Sequence, residues 1–306
     1  MPALFDHYVI VDWSANSVPK KGSDSIWICA HGTEPFNVST RTEAKAQLEE
    51  LLTTAVEAGK RVLVGFDFPF GYPAGFAQKL GLKGVPPWRA VWDAIAAELR
   101  EYDKNGNNRF CVGATFNQRL SGDRFPFWGC PASKAGPYLC TTFHKEHDRY
   151  GLAERRLIDG RDYMPGAQPC FKLFYNGSVG GQALTGIPVV RSLRDNPRLA
   201  ATARIWPFET GLRAPLDAGL VFAEVYPSLW KDRWLQSADQ PKDKAQVRGV
   251  AQLFSDCDAA GTLAPLFAGD PSLSAAERHQ VETEEAWTLG VTARQPQSKP
   301  LKRAKR

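Results

Sequence analysis

No stretch of this 306-residue chain approaches 18 consecutive apolar residues, so a membrane-spanning helix is not expected. Nor does the N-terminus show a basic segment followed by an apolar one: Asp6 and His7 stand where an apolar signal core would have to build. The six cysteines (Cys29, Cys111, Cys130, Cys140, Cys170 and Cys257) form no C-x-x-C pair and no zinc-ribbon spacing. They read as reduced thiols, and a cytoplasmic location is expected. No internal repeat divides the chain. The C-terminal end combines a lack of acids with a run of bases. Six of the 38 Lys and Arg lie from Arg294 onward, with no Asp or Glu among them, which leaves 32 basic against 33 acidic residues in the rest. The net charge of +5 therefore belongs to a disordered basic tail over 292–306, and the body is not a generally basic nucleic-acid binder.

What remains is the composition of an ordinary globular protein, 43% hydrophobic and 23% charged, long enough to bury a sizeable core. Tyr8–Val11 and Ser25–Ala30 read as strands joined by a polar, glycine-containing connection, hence a hairpin. Arg41 to Gly59 has helical apolar spacing at Leu48, Leu51, Leu52 and Ala55, with glycine as the stop. A third strand over Val62–Phe66 ends at Asp67 and Pro69. From 72 to 207 the pattern is less regular. One clear helix, WRAVWDAIAAELREY, lies among Gly/Pro/aromatic segments, and the stretch is expected to be a long insertion decorating the core. ARIWPFETG and LVFAEVYPSLW are two more strands, DKAQVRGVAQLFSDCDAAGTLAPLF is helical in its first half, and SAAERHQVETEEAWTLGV is the last helix, with Ser274 and Glu277 at capping-box spacing. The whole predicts one α/β domain over 1–291 with mixed strand directions.

Acids recur at strand ends. VIVDWS, VGFDFPFG and VFAEVYPS each place one carboxylate (Asp12, Asp67, Glu224) at or near the end of an apolar strand, and the late segment VETEEAW offers Glu282, Glu284 and Glu285. Parallel neighbours would bring such carboxylates to one edge of a sheet, where α/β proteins bind ligands. Clustered carboxylates repel one another unless cations lie between them. Hard oxygen ligands suit Mg2+ or Mn2+, and two such ions about 4 Å apart serve in-line phosphoryl displacement. For any one acid, capping a helix or turn is an equally good reading.

The strings VIVDWSAN, VGFDFPFGYP, EVYPSL, KLFYNGSVGGQALTGIP and EEAWTLGV together resemble a bacterial domain-of-unknown-function family described as predicted nucleases of the ribonuclease H fold. The resemblance runs over most of 8–291. It implies a ribonuclease H-like mixed sheet flanked by helices, and a divalent-metal site built by acids on the first strand, the fourth strand and a C-terminal helix. Carried over, Asp12 is the first, Asp67 the second, Glu224 a third and Glu284 or Glu285 the helical one. The implied activity is metal-dependent hydrolysis of nucleic acid, DNA or RNA.

Other features carry weaker expectations. The loop NGSVGGQALTG could let backbone amides at Gly177, Ser178, Gly180 and Gly181 contact a phosphate or nucleotide, although no G-K-[ST] follows and a rigid turn that lets the insertion pack is the stronger reading. His144, His147 and Asp148 lack the H-E-x-x-H spacing and read as a polar turn. Trp128, Trp206 and Phe208 could stack bases but adjoin prolines and read as packing. Glu209 is a reserve acid, and Lys172, Arg191, Arg213 and Lys231 are dispersed cations of a solvated surface. Two other functions fit the same residues: a nucleotide-binding phosphotransferase or ATPase of the same broad superfold, and a non-catalytic binding protein whose acids are structural.

Overall fold

The structure, a computed structural model, describes residues 3–143 and 147–294; the basic tail from 295 on and His144 lie outside the described residues, as do the side chains of His147 and Asp148. A six-stranded mixed sheet forms the centre, in the order β3-β2-β1-β4-β6-β5. β1 (His7–Asp12), β2 (Ile26–Ala30) and β3 (Phe36–Val38) run as an antiparallel meander, the chain reversing through the connections 13–25 and 31–35. α1 (Arg41–Glu57) then crosses over and delivers β4 (Val62–Phe66) parallel to β1. Its start is fixed by Thr40, whose side chain accepts from the Glu43 amide, and Gly59 at φ 72° ends it. β5 (Ala203–Ile205) and β6 (Leu220–Glu224) complete the parallel half.

The central strands are apolar on both faces because both are covered. Val9, Val11, Val64, Phe66 and Phe222 face one core, which includes Leu48 and Leu52 of α1. Tyr8, Ile10, Leu63, Val221 and Ala223 face the other, filled by Val247, Val250, Ala251 and Phe254 of α7 (Lys242–Ala259). Between β4 and β5 run α2 (Phe76–Lys79), α3 (Pro87–Glu98), α4 (Arg109–Ser121), α5 (His147–Tyr150) and α6 (Gly180–Arg194). This segment does more than decorate. β5 extends the sheet beyond β6, and α6 buries Ala183, Leu184, Ile187 and Val190 in the first core. Gly186 makes that approach possible, since a Cβ there would fall 2.3 Å from the Phe68 ring.

The last helical segment is shorter than its sequence suggests. α8 (Ala275–Gln280) opens on the capping box of Ser274 and Glu277, then widens into a π turn over Val281–Glu285 that stops at Ala286, φ 62°. Among the described residues no helix is long and apolar enough to cross a membrane.

Candidate functional site

Asp12 is the last residue of β1, and Asp67 follows directly on β4. The parallel register pairs Val11 with Phe66, so Asp12 lies beside Asp67 and both side chains leave the same face of the sheet. The backbone N–H of Trp13 donates to Asp67 Oδ1 at 2.8 Å. Asp12 has no such help: no described residue donates a hydrogen bond to its carboxylate. Burial, then the neighbouring Asp67 and Asp243 carboxylates, holds Asp12 well above the usual carboxylate range. Burial pushes Asp67 up to about 7 against its hydrogen bonds, with Asp243 adding to the rise.

Asp243 is the acid that strand-end reasoning missed. It occupies the first turn of α7, which packs on the same face as Asp12 and Asp67. Its Oδ2 accepts from the Asp24 backbone at 2.6 Å, and burial raises its pKa. Position alone could have marked it, since DKAQVRG opens the helix that follows the last strand.

Glu224 is placed differently. It is in register with Phe66, hence also with Val11, and so points to the face opposite Asp12 and Asp67. There it is 4% exposed and fully engaged. Arg156 Nη2 and Thr288 Oγ1 donate to Oε1, both at 2.8 Å, while Arg156 Nη1 (2.7 Å) and the Phe70 amide (2.9 Å) donate to Oε2. Asp159 grips the other side of the Arg156 guanidinium, so one buried cation serves two buried acids. Glu285 is likewise occupied: Ala74 N and Gln280 Nε2 donate to Oε1, and Leu157 N donates to Oε2. Burial still raises its pKa. Glu284 accepts from the Gly75 amide and Glu282 from the Leu212 amide. The structure thus brings Asp12 and Asp67 together, adds Asp243, and spends Glu224, Glu284 and Glu285 on tying loops to the sheet. Among the described residues no three His, Cys, Asp or Glu side chains are placed to hold one metal ion together.

A cavity of about 780 Å³ opens at this edge, bordered by Asp12, the loop Trp13–Asn16, Asp24, Arg109, Leu173–Ser178, Gln182 and Asp243. Asp67 and Glu224 both border a smaller neighbouring cavity of about 30 Å³. Gly177 and Ser178 line the larger cavity, with Gly177 in a left-handed turn at φ 72°. Gly180 and Gly181 open α6, and their missing side chains allow close packing: a Cβ on Gly180 would lie 2.3 Å from the Cys170 carbonyl. The Gly180 N–H is spent on the Lys172 carbonyl. Arg109, which sequence reasoning did not single out, is 6% exposed, and burial followed by the nearby Arg41 charge lowers its pKa to about 10.

The remaining candidates are structural. Trp206 is wholly buried, Phe208 stacks on Trp88 with centroids 4.9 Å apart, and Glu209 pairs with Arg194 at 2.5 Å. Arg191 pairs with Asp93, and Lys172 donates to Gln168 and the Asn176 carbonyl.

No protein-family model, no curated protein and no solved structure matches this chain.

Proposed function

We propose that the chain is a divalent-metal-dependent hydrolase of phosphoester bonds in nucleic acid, a nuclease with a ribonuclease H-like arrangement. Asp12 and Asp67 would hold Mg2+ or Mn2+. The observation that carries this reading is the Asp12–Asp67 pair: two carboxylates in register on one face, one of them without a single hydrogen-bond donor. Such a pair stays charged near neutral pH only when a cation joins it. Mg2+ commonly takes one or two carboxylates together with waters and substrate phosphates, so two acids and an open polar cavity suit it without a closed protein cage. Acids on the first and fourth strands also agree with the fold that the sequence resembles.

The bound ion would supply Lewis acidity and an activated water. Asp12 and Asp67 would hold the ion, with Oδ1 of Asp67 already fixed by the Trp13 amide. Asp243, which borders the same cavity as Asp12, adds negative potential that would strengthen cation binding. Glu224 and Glu285 hold the loops after β4 in place behind the pair. The test is hydrolysis of single-stranded, duplex, hybrid and branched substrates with Mg2+ or Mn2+. Asp12→Asn and Asp67→Asn should each abolish turnover; full activity in either variant would sink the assignment. ATP-dependent thermal stabilisation with no phosphodiester cleavage would instead favour a phosphotransferase, whose nucleotide would occupy the same cavity beside the β1–β2 loop.

A further inference from the structure

We propose that Arg109 and the first turn of α6 form a seat for one phosphate group, and that the ligand it admits is a nucleoside 5′-monophosphate, free or at the end of a strand. Arg109 opens α4, is 6% exposed and borders the large cavity. Its Nη1 donates to Ser17 Oγ at 2.9 Å and Asn107 Oδ1 at 3.0 Å, both neutral acceptors. Its Nε is fully buried with no acceptor, Nη2 bonds to no described residue, and no described carboxylate pairs with it. The other buried arginines, Arg41 and Arg156, each have a carboxylate at 2.8 Å or less. The Arg109 guanidinium lies 4.4 Å from the Phe110 ring centroid and feels Glu101 only through space; a buried guanidinium with no carboxylate in contact is costly, and an anion resolves it.

The second half of the seat is α6, a 15-residue helix with no side-chain cap and no acid in its first turn. The Gly181 and Gln182 amides lie in that turn, where a helix has no internal acceptors, and the helix dipole favours an anion. A Cβ on Gly181 would lie 2.9 Å from the Leu173 carbonyl and 3.3 Å from both Arg109 Nε and Ala15 Cβ, so the guanidinium packs against the helix terminus and the β1–β2 loop, and Gln182 of the same turn borders the cavity. Asp12 and Asp243 line the same cavity as Arg109.

The charge count selects the ligand. Among the described residues lining the cavity, Arg109 is the one cationic side chain, against Asp12, Asp24 and Asp243. A continuous strand is tracked by several Lys and Arg, whereas one guanidinium matches one phosphate. Tyr175, 49% exposed and held at φ 74°, lines the wall beside Phe174, ring centroids 4.9 Å apart, and offers a face for a base.

The proposal rests on the hydrolase reading for the metal beside the phosphate, but the seat binds its anion without metal and is tested so. Calorimetry on the full chain, in EDTA at fixed ionic strength, would use inorganic phosphate, AMP, adenosine, and a tetranucleotide with and without a 5′-phosphate. AMP should bind at least about tenfold more tightly than adenosine, and Arg109→Gln should weaken phosphate and AMP by about 10- to 100-fold, the scale of a charged hydrogen bond. Tyr175→Ala should weaken AMP and leave inorganic phosphate unchanged. Should Arg109→Gln fail to fold, Arg109→Lys, which keeps the charge and loses the fork, should bind phosphate more weakly than wild type. A 5′-phosphate-dependent gain for the tetranucleotide points to strand ends, and binding of AMP alone points to free nucleotides. Adenosine binding as tightly as AMP, or unchanged phosphate affinity in the Arg109 variant that folds, overturns the seat. Phosphate binding without any metal-dependent hydrolysis overturns the hydrolase reading and leaves the seat standing.

Discussion

Asp67→Asn should make the metal-free protein more stable at pH 8 while removing its response to Mg2+. Raising the Asp67 pKa from 3.8 to about 7 disfavours the ionised carboxylate in the fold by about 4 kcal/mol relative to the unfolded chain. Water reaches the cavity edge that this carboxylate borders, and halving the figure for that screening leaves about 2 kcal/mol. The folded chain keeps the proton up to about pH 7, whereas the unfolded chain has released it by about pH 4. More protons are bound in the folded state, so stability falls as pH rises through that window and levels off above it. An amide of the same shape still accepts from the Trp13 N–H and carries no charge, so the variant should gain about 2 kcal/mol at pH 8, or about 4 °C in Tm. The gap should shrink to less than half at pH 5. Urea unfolding followed by tryptophan fluorescence in EDTA measures it, and repeating the titration with 10-fold steps of Mg2+ should stabilise wild type alone. A variant no more stable than wild type at pH 8 would refute the reasoning, because Asp67 would then be a structural acceptor whose charge the fold already satisfies.

The acids on the opposite face should behave in the reverse sense. Glu224→Gln should lower stability by roughly 2 kcal/mol at pH 8, since it weakens the pair with a buried guanidinium, and equilibrium unfolding would read it. Arg156→Met should cost more, about 3–5 kcal/mol, because it strands Glu224 and Asp159 together without a cation; a stable variant would refute the network. Gly186→Ala should destabilise by about 1–3 kcal/mol through collision with the Phe68 ring, measured by the shift in urea midpoint. Asp12→Asn should lose Mn2+-dependent hydrolysis yet fold at least as well as wild type at neutral pH, because the carboxylate it replaces has no donor to lose.

Much of the framework is legible in the chain because local chemistry and packing agree. The strand over Val62–Phe66 has the bounds its apolar run indicates, and the hairpin follows from the polar stretch between two apolar ones. α1 begins after Thr40 and closes at Gly59, as cap and stop residues require. Segment 72–207 is harder to read. β5 has only three residues, and its place beyond β6 is a matter of tertiary packing. The glycines of GSVGGQALTG signal close approach, but nothing local says whether the approaching group is a phosphate or the protein's own backbone. At Gly180 it is the Cys170 carbonyl, and at Gly186 it is Phe68.

The acids teach the sharper lesson, which turns on a single residue of phase. Asp12 and Asp67 each follow the strand residue paired in the register Val11–Phe66, so they share a face. Glu224 pairs with Phe66 itself, one position earlier, and a shift of one residue in a strand moves a side chain to the other side of the sheet. The three strings look alike when aligned on their acids and differ when aligned on their ladder. Register is a relation between strands that no one strand encodes, so sequence could nominate three carboxylates but not sort them. The sorting has a chemical result. On one face the acids find the arginine and amides that neutralise them and become part of the scaffold. On the other, Asp12, Asp67 and Asp243 form no ion pair with a described residue and feel only Lys242 and Lys20 through space, and that thin counter-charge beside an open cavity is what makes them candidates for binding a cation.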